Sequence, residues 1–342
     1  MVRAVVLSHL SVAHGKVRDS ARTDGSPLVL EAAGSKFVGG RTVELSDTEV
    51  GIFGAGSVVV DQMYVQYMIP PKPSKPAVVM IHGSTLSGKT FETTPDGRMG
   101  WFEYFARNGF PSYIVDQVGR GRSGFDQSPF NDVRSGLVAR EKQPNLRRGS
   151  SDLMWVRGRF GPAEGVKFDD TQFPTEAANE FAKQGVPDIE PTTASNEANY
   201  AALAELAKEG RRTVLVGHSQ AGRFPFETAL RSPLGIAALV SIEPAGCNSG
   251  GYSVQQIKTL TRYPILIIFG DHLDAPQKYG TSWASYFHDC EAFVAKINAA
   301  NGKARMLHTP DLGIRGNSHM LMMDKNNLQI ADLIIAWISL QR

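Results

Sequence analysis

The chain has 342 residues, of which 42% are hydrophobic and 20% are charged, and its formal net charge at pH 7 is +2. This composition excludes an intrinsically disordered chain and a disulfide-dense scaffold. The near-neutral charge gives no electrostatic reason to expect nucleic acid or an anionic membrane as a partner.

The first residues and the cysteines bear on where the protein works. The opening M-V-R-A-V-V-L-S-H-L-S-V-A has one early cation and an apolar stretch broken by Ser8 and His9, so it is a poor secretory signal. A cytoplasmic location is therefore favoured over a secreted or periplasmic one. The sequence leaves open a disulfide between Cys247 and Cys290, and two buried free thiols are the favoured interpretation.

Two kinds of strand pattern follow in chain order. Residues 38–45 and 56–70 alternate apolar and polar side chains and predict antiparallel strands. From Ala77 onward, short apolar runs separated by helical spacing predict an α/β fold, with a parallel sheet buried on both faces and right-handed crossovers. The runs begin near residues 77, 112, 213, 237 and 264, and the predicted helices cover residues 99–108, 196–209, 220–231, 282–300 and 327–340. None of the apolar runs is long enough to cross a bilayer.

Residues 125–195 break this rhythm, because they are rich in Gly, Pro, Arg and Asp and show little periodicity. They are predicted to form a cap or lid inserted into a core over residues 36–124 and 196–342, after an N-terminal extension over residues 1–35. The basic cluster R-E-K-Q-P-N-L-R-R-G at residues 140–149 is interpreted as a solvated face rather than a device that steers an anionic substrate. Five apolar side chains of the insertion either line a substrate pocket or pack it against the body: Phe130, Leu153, Met154, Trp155 and Phe160.

One glycine-rich stretch matches the phosphate-binding loop pattern G-x-x-x-x-G-K-[ST]. It reads G-S-T-L-S-G-K-T over residues 83–90. Such a loop needs a helix that starts at its Gly-Lys pair, since the helix N-terminus holds the phosphates. Here Pro95 and the turn pair Asp96-Gly97 would cut that helix short. Nucleotide binding is therefore a less favoured hypothesis.

A second stretch, T-V-L-V-G-H-S-Q-A-G-R-F over residues 213–224, predicts a nucleophilic serine. A sharp turn from a buried strand into a helix lifts a serine hydroxyl clear of its neighbours. The backbone then passes so close that the residues two before and two after the serine must be small. Gly217 and Ala221 meet that requirement around Ser219.

With this motif the chain resembles the α/β-hydrolase family from about residue 36 onward. His82-Gly83 ends the strand that precedes the family's oxyanion loop, and D-Q-V-G-R-G-R-S at residues 116–123 resembles the family's D-x-x-G-x-G-x-S turn. His319 precedes the last predicted helix, in keeping with the family's chain order of nucleophile, acid and base. The resemblance implies a mainly parallel central sheet with helices on both faces and an inserted cap.

The resemblance also implies roles for particular groups. The backbone N–H groups of Ser84 and Gln220 are expected to form the oxyanion hole, and Gly83 is explained as the small residue that lets the Ser84 amide turn toward the site. His319 is favoured as the base over His308, which sits inside a predicted strand. His218 is expected to point away from the serine oxygen.

The acid of the triad has two candidates. Asp274 follows the strand P-I-L-I-I-F, the commonest family position, whereas Glu243 follows the preceding strand in S-I-E-P. Glu243 is favoured, because an isolated charge at the end of an apolar strand needs a partner. A subgroup typified by the bacterial esterase 713 places a Glu there, and G-S-P-L-V-L-E-A-A-G-S-K-F-V-G-G near the N-terminus is similar to that subgroup. Some members carry two adjacent cysteines where this chain has Ser84-Thr85.

The expected function is hydrolysis of a carboxylic ester, lactone or thioester through Ser219, His319 and Glu243 and an acyl-enzyme intermediate. The alternatives are a lyase or a non-catalytic binding protein of the same fold. No cofactor or metal is expected, because the chain has neither H-E-x-x-H nor a His/Cys cluster at ligand spacing. The expected partner is a small-molecule ester, and the oligomeric state is left open.

Overall fold

One mixed sheet of eight strands organises the protein. The computed structural model describes residues 26–50, 54–189, 193–210, 212–277 and 280–341. The strands are β1 (Ala32–Leu45), β2 (Gly56–Ile69), β3 (Ala77–Ile81), β4 (Ser112–Asp116), β5 (Leu146–Arg147), β6 (Asp188–Ile189), β7 (Thr213–His218), β8 (Ile236–Ile242), β9 (Pro264–Phe269) and β10 (Lys303–His308). The sheet order is β1-β2-β4-β3-β7-β8-β9-β10, and β5 pairs with β6 in a separate ribbon.

The pairing directions divide the sheet into two parts. β1 pairs with β2, and β2 with β4, in antiparallel fashion. All pairs from β4 to β10 are parallel. The predicted change from alternating to continuous apolar runs marks this division, because only the parallel strands are covered on both faces. The predicted α/β fold with a mainly parallel sheet is confirmed.

Helices cover the two faces of the sheet. They are α1 (Asp47–Val50), α2 (Trp101–Arg107), α3 (Ser128–Arg134), α4 (Ser151–Arg157), α5 (Ala178–Ala182), α6 (Thr193–Gly210), α7 (Phe224–Arg231), α8 (Val254–Leu260), α9 (Trp283–Ala299) and α10 (Asn327–Ser339). All five helices predicted from the sequence are present. A 3-10 turn over Ser219–Arg223 replaces the first residues of the helix predicted at 220.

Two hydrophobic cores lie on opposite sides of the sheet. Along β3, Val78 and Met80 belong to one core, together with α2 and α10, whereas Val79 and Ile81 belong to the other, with α6, α7 and α9. This alternation follows from the two-residue period of a strand. Burial on both faces leaves the carboxyl ends of the strands as the open edge where side chains can meet.

The segment from 125 to 195 is built from the short elements α3, α4, α5, β5 and β6. Its aromatic side chains pack into the core that contains α2, where the rings of Phe160 and Phe173 stack with centroids 3.5 Å apart. Residues 1–25 of the predicted N-terminal extension lie outside the described residues, and β1 begins within that predicted extension, at Ala32. Among the described residues, no helix has the length and hydropathy needed to span a bilayer.

The expectation of two free thiols was wrong, because Cys247 and Cys290 form a disulfide with their Cα atoms 4.9 Å apart. Cys247 lies in the loop after β8 and Cys290 in α9, which packs on the same face of the sheet. The neighbouring Asp289 carboxylate accepts hydrogen bonds from the backbone amides of Cys247, Asn248 and Ser249. The pairing joins positions 43 residues apart, a distance that local sequence patterns do not bridge.

We expect the disulfide to stabilise the fold by restricting the unfolded chain. A closed loop of this length corresponds to about 4 kcal/mol in the chain-entropy treatment. The double variant Cys247→Ala/Cys290→Ala should lose a free energy of unfolding of that order, measured by urea denaturation. Wild-type protein in a reducing agent should unfold at the same lowered midpoint, and equal midpoints for the oxidised wild type and the variant would contradict the prediction.

Candidate active site

Ser219 sits at a sharp bend between β7 and the following 3-10 turn. Its backbone is left-handed, with a φ of 57°, a conformation that costs a non-glycine residue of order 1–3 kcal/mol. The bend brings chain segments into close approach: a Cβ on Gly217 would lie 2.1 Å from the carbonyl oxygen of Ala221, and one on Gly83 would lie 2.8 Å from the Cβ of Ser219. The small residues singled out in the sequence are therefore required by the shape of this nucleophile elbow.

A chain of hydrogen bonds runs from the Ser219 hydroxyl through His319 to Glu243. His319 Nε2 lies 2.9 Å from Ser219 Oγ, and His319 Nδ1 lies 3.1 Å from Glu243 Oε2. The three residues come from the ends of β7 and β8 and from the loop before α10. The structure thus brings together the serine, the histidine and the favoured acid. In the chain, His319 follows Ser219 by 100 residues and Glu243 by 76 residues.

Glu243 is completely buried at the end of β8. Its backbone is left-handed, with a φ of 50°, directly before Pro244. Its Oε1 accepts a hydrogen bond from the Gly270 amide and forms an ion pair with Arg159 Nη2 at 2.6 Å. Arg159 is also completely buried, so each charge has the other as its partner.

The chain around Arg159 also holds His319. The His319 amide donates to the Gly158 carbonyl at 2.8 Å. The indole N–H of Trp283 donates to the Arg157 carbonyl, and the Trp283 ring lies 4.1 Å from the His319 ring. Sequence reasoning missed Arg159, because no pattern in the surrounding D-L-M-W-V-R-G-R-F-G-P indicates a contact with Glu243, 84 residues away.

The other sequence candidates occupy different positions. Asp274 is exposed on the loop after β9, and the Nδ1 atom of His319 is already bonded to Glu243. His218 Nε2 lies 3.0 Å from the His319 carbonyl oxygen, which makes it a support for the histidine loop. His308 ends β10, with Nδ1 3.5 Å from Asp311.

Burial shifts the titration of these groups. Desolvation lowers the pKa of His319 to about 4, although the hydrogen bond and charge of Glu243 act in the opposite direction. Burial lowers the pKa of His218 to about 3 and that of His82 to about 4. Desolvation by itself would raise the pKa of Glu243, but the adjacent Arg159 charge and the bond to His319 lower it to about 2. At neutral pH the imidazoles are therefore neutral and the carboxylate is charged.

A second buried ion pair lies beside the loop after β3. Asp188 Oδ2 accepts hydrogen bonds from Ser84 Oγ at 2.7 Å and from the Thr85 amide at 2.9 Å. Asp188 Oδ1 lies 2.7 Å from Arg120 Nε. Arg120 also donates from Nη1 to the side chain of Gln220 at 3.1 Å. This network joins the loop to the residue that follows Ser219.

The phosphate-loop pattern does not have the required geometry. Residues Gly88–Phe91 form a single 3-10 turn, and the Lys89 ammonium donates to the carbonyl of Thr93 at 2.6 Å. The Asp116 carboxylate accepts hydrogen bonds from the Gly88 amide and from Arg122. No long helix begins at the Gly-Lys pair, so the part of the fold that would hold phosphates is missing from residues 83–97.

A cavity of about 470 Å³ opens over Ser219. Leu153 and Met154 of the insertion line it, together with Trp283. Trp155 and Phe160 instead pack in the aromatic cluster of the insertion, and Phe130 contacts Phe125. Leu153 and Met154 therefore take the first of the two roles that the sequence left open, Trp155 and Phe160 take the second, and Phe130 contacts another residue of the insertion.

One group of side chains among the described residues could hold a metal ion. Ligand atoms of Asp170, Asp271 and His272 lie within 4.8 Å of one another. Both Asp271 oxygens accept backbone amides, from His272 and Gly316, and His272 is bonded to Asp170. None of the three lines the cavity over Ser219.

A parallel sheet with a nucleophile elbow at the end of a central strand defines an α/β-hydrolase. No family model matches the chain. A solved structure described as a novel bacterial esterase is 43% identical, covers 94% of this chain and 99% of its own, and superimposes with a TM-score of 0.87. A probable secreted lipase phiG from Fungal sp. (strain ATCC 74256) is 26% identical over an alignment of 322 residues, and the match covers 82% of this chain and 86% of the relative.

The chain belongs to the α/β-hydrolase family of bacterial esterases, and it is a carboxylic ester hydrolase. The family resemblance seen in the sequence is confirmed.

The buried histidines predict how stability depends on pH. The folded pKa values of His82, His218 and His319, about 4, 3 and 4, lie below the unfolded value of 6.5, so the unfolded chain binds more protons as pH falls from 6.5 to 4. The free energy of unfolding should therefore fall over this range. Asp324 acts in the opposite direction, since burial raises its pKa to about 6, but it is one group against three.

Urea denaturation at a series of pH values tests this expectation. Replacing the buried His218 by Gln should reduce the pH slope. A flat profile between pH 7 and 4.5 would be incompatible with neutral buried histidines.

Proposed function

We propose that the ester is cleaved by a Ser219–His319–Glu243 triad through an acyl-enzyme. The observation that carries this proposal is the unbroken pair of contacts from Ser219 Oγ to His319 Nε2 and from His319 Nδ1 to Glu243 Oε2, at 2.9 and 3.1 Å. These distances lie within the reach needed for proton transfer from a nucleophile to a base.

The steps follow from the roles of the three groups. Ser219 Oγ attacks the ester carbonyl while His319 Nε2 accepts the hydroxyl proton, and the histidine then returns that proton to the departing alcohol. Water attacks the acyl-enzyme with the same base and releases the carboxylic acid. Glu243 holds the tautomer in which Nδ1 carries the proton and stabilises the imidazolium that forms. Buried carboxylate and neutral imidazole are the resting states that this sequence of steps requires.

The negative charge on the carbonyl oxygen needs donors that are already in position. We assign this role to the backbone N–H groups of Ser84 and Gln220, neither of which is hydrogen-bonded elsewhere within the described ranges. The Asp188–Arg120 pair supports both, because it binds the Ser84 side chain and the Gln220 side chain. An oxyanion donor is worth roughly 2.7 to 4 kcal/mol when it is removed.

We further propose that residues 125–195 form a cap on a core over 36–124 and 196–342. Three residues of this segment contact the site. Leu153 and Met154 line the cavity, and Arg159 binds Glu243. The cap then has two functions, since it shapes the substrate cavity and supplies the counter-charge of the triad acid.

The Ser219→Ala variant tests the nucleophile. Wild-type protein should be labelled by a fluorophosphonate probe and should hydrolyse p-nitrophenyl acetate, whereas the variant should lose labelling and about 10⁶-fold in kcat. Mass spectrometry of the labelled protein should place the adduct on Ser219. A lyase of this fold would show labelling without ester turnover, and a binding protein would show neither.

The pair Glu243→Gln and Asp274→Asn distinguishes the two candidate acids. Glu243→Gln removes the charge that orients His319, so kcat should fall about 10⁴-fold while KM changes little. Asp274→Asn removes a similar charge at an exposed position and should leave kcat within about twofold of wild type. Reversal of these two results would assign the role to Asp274.

A further inference from the structure

The cavity over Ser219 is lined by side chains of one charge only. Its described lining contains Arg147, Arg148 and Arg157, and it contains no aspartate or glutamate. Guanidinium groups are the side chains that bind carboxylates best, through paired hydrogen bonds. The lining therefore carries information about the substrate beyond the ester bond.

The buried carboxylates near the cavity do not compensate this charge. Glu243 is paired with Arg159, and Asp188 is paired with Arg120, each with an N to O distance below 3 Å. Each pair is close to neutral as a unit. Burial lowers the pKa of Arg120, and the nearby positive charge of Arg147 lowers it further, whereas the Asp188 carboxylate raises it. Balancing these two buried pairs leaves the positive charges of Arg147 and Arg148 in the cavity lining.

Arg147 and Arg148 are available for a ligand. Both are exposed, and within the described ranges neither forms an ion pair or a side-chain hydrogen bond. They lie at the end of the β5–β6 ribbon, where Arg147 is the register partner of Asp188. A Cβ on Gly185 would lie 3.1 Å from Arg148 Nε, so the absence of a side chain there leaves room for the Arg148 guanidinium.

Arg157 differs from these two, because it is held in place. Its Nη1 donates to Gln277 Oε1 at 3.1 Å and to the Thr281 carbonyl at 2.8 Å, and its guanidinium lies 4.5 Å from the centre of the Trp283 ring. It contributes a fixed positive charge to the wall near His319. The rest of the wall is apolar, with Leu153 and Met154 among its members.

We propose that the substrate is an ester that also carries a carboxylate, bound by the guanidinium groups of Arg147 and Arg148 with its apolar part against the insertion. This proposal rests on the hydrolase function and adds the substrate class. Guanidinium groups bind carboxylates through paired, charge-assisted hydrogen bonds. The sequence analysis interpreted the basic cluster at residues 140–149 as a solvated face. In this proposal, Arg147 and Arg148 of that cluster also bind the substrate carboxylate.

Two matched substrate pairs test this assignment. The first pair is p-nitrophenyl hydrogen adipate and p-nitrophenyl hexanoate, which differ by a terminal carboxylate on the acyl chain. The second pair is the butyrate esters of 4-hydroxybenzoate and 4-hydroxybenzamide, which place the charge on the alcohol part. The quantity measured is the ratio of kcat/KM for the anionic ester to that for its neutral partner, so a general loss of activity cancels.

We expect wild-type protein to favour the anionic member of at least one pair. The Arg147→Gln/Arg148→Gln variant should lower that ratio about tenfold or more, since a charge-assisted hydrogen bond exceeds the 1.4 kcal/mol that corresponds to a factor of ten. The wild-type ratio should also fall as sodium chloride is raised, because salt screens exposed charges. Arg140→Gln, which removes an exposed charge of the same cluster outside the cavity lining, should keep the wild-type ratio.

Calorimetry on the Ser219→Ala background gives a readout that does not depend on turnover. Binding of p-nitrophenyl hydrogen adipate should weaken about tenfold when the two arginines are replaced. Ratios unchanged by the double replacement in both pairs, together with unchanged binding, would overturn the carboxylate assignment. Turnover of the neutral esters by Ser219→Ala would instead contradict the proposed triad, so the two failures are distinguishable.

Discussion

The buried ion pair between Glu243 and Arg159 is the interaction on which the rest of the site depends. A carboxylate with no exposed surface is costly to bury, and removing one member of such a pair leaves a charge that the interior cannot solvate. Arg159 comes from the insertion and Glu243 from the central sheet, so the charge balance requires the insertion to lie against the body. Next to this contact, the Gly158 carbonyl accepts a hydrogen bond from the His319 amide. Neighbouring residues of the insertion therefore balance the charge of Glu243 and hold the backbone of His319.

The same principle recurs on the other side of Ser219. Asp188 of the insertion and Arg120 of the loop after β4 form the second buried pair, and the carboxylate binds the loop that contains Ser84 and Thr85. This carboxylate comes from a segment of the chain 104 residues away from Ser84. Hydrogen bonds to a buried carboxylate therefore restrain the loop that contains Ser84.

Particular residues show why the sequence was informative in some places and not in others. The elbow around Ser219 could be predicted because a close approach of the backbone demands small residues at fixed offsets. Glu243 could be proposed because an isolated charge behind an apolar strand needs a partner, but the sequence did not indicate that Arg159 was that partner. The disulfide was predicted wrongly, because no local signal in the sequence indicates a contact between positions 43 residues apart.

By itself, the sequence determined the order of strands and helices along the chain, the parallel part of the sheet, the elbow, and Ser219, His319 and Glu243 as candidate site residues. These properties are local, since strand burial, turn geometry and capping depend on neighbours a few positions away. Only the tertiary structure decided which charges meet: Glu243 with Arg159, and Asp188 with Arg120. Electrostatic pairing depends on distance in space and on burial, and both are set by the packing of segments far apart in the chain.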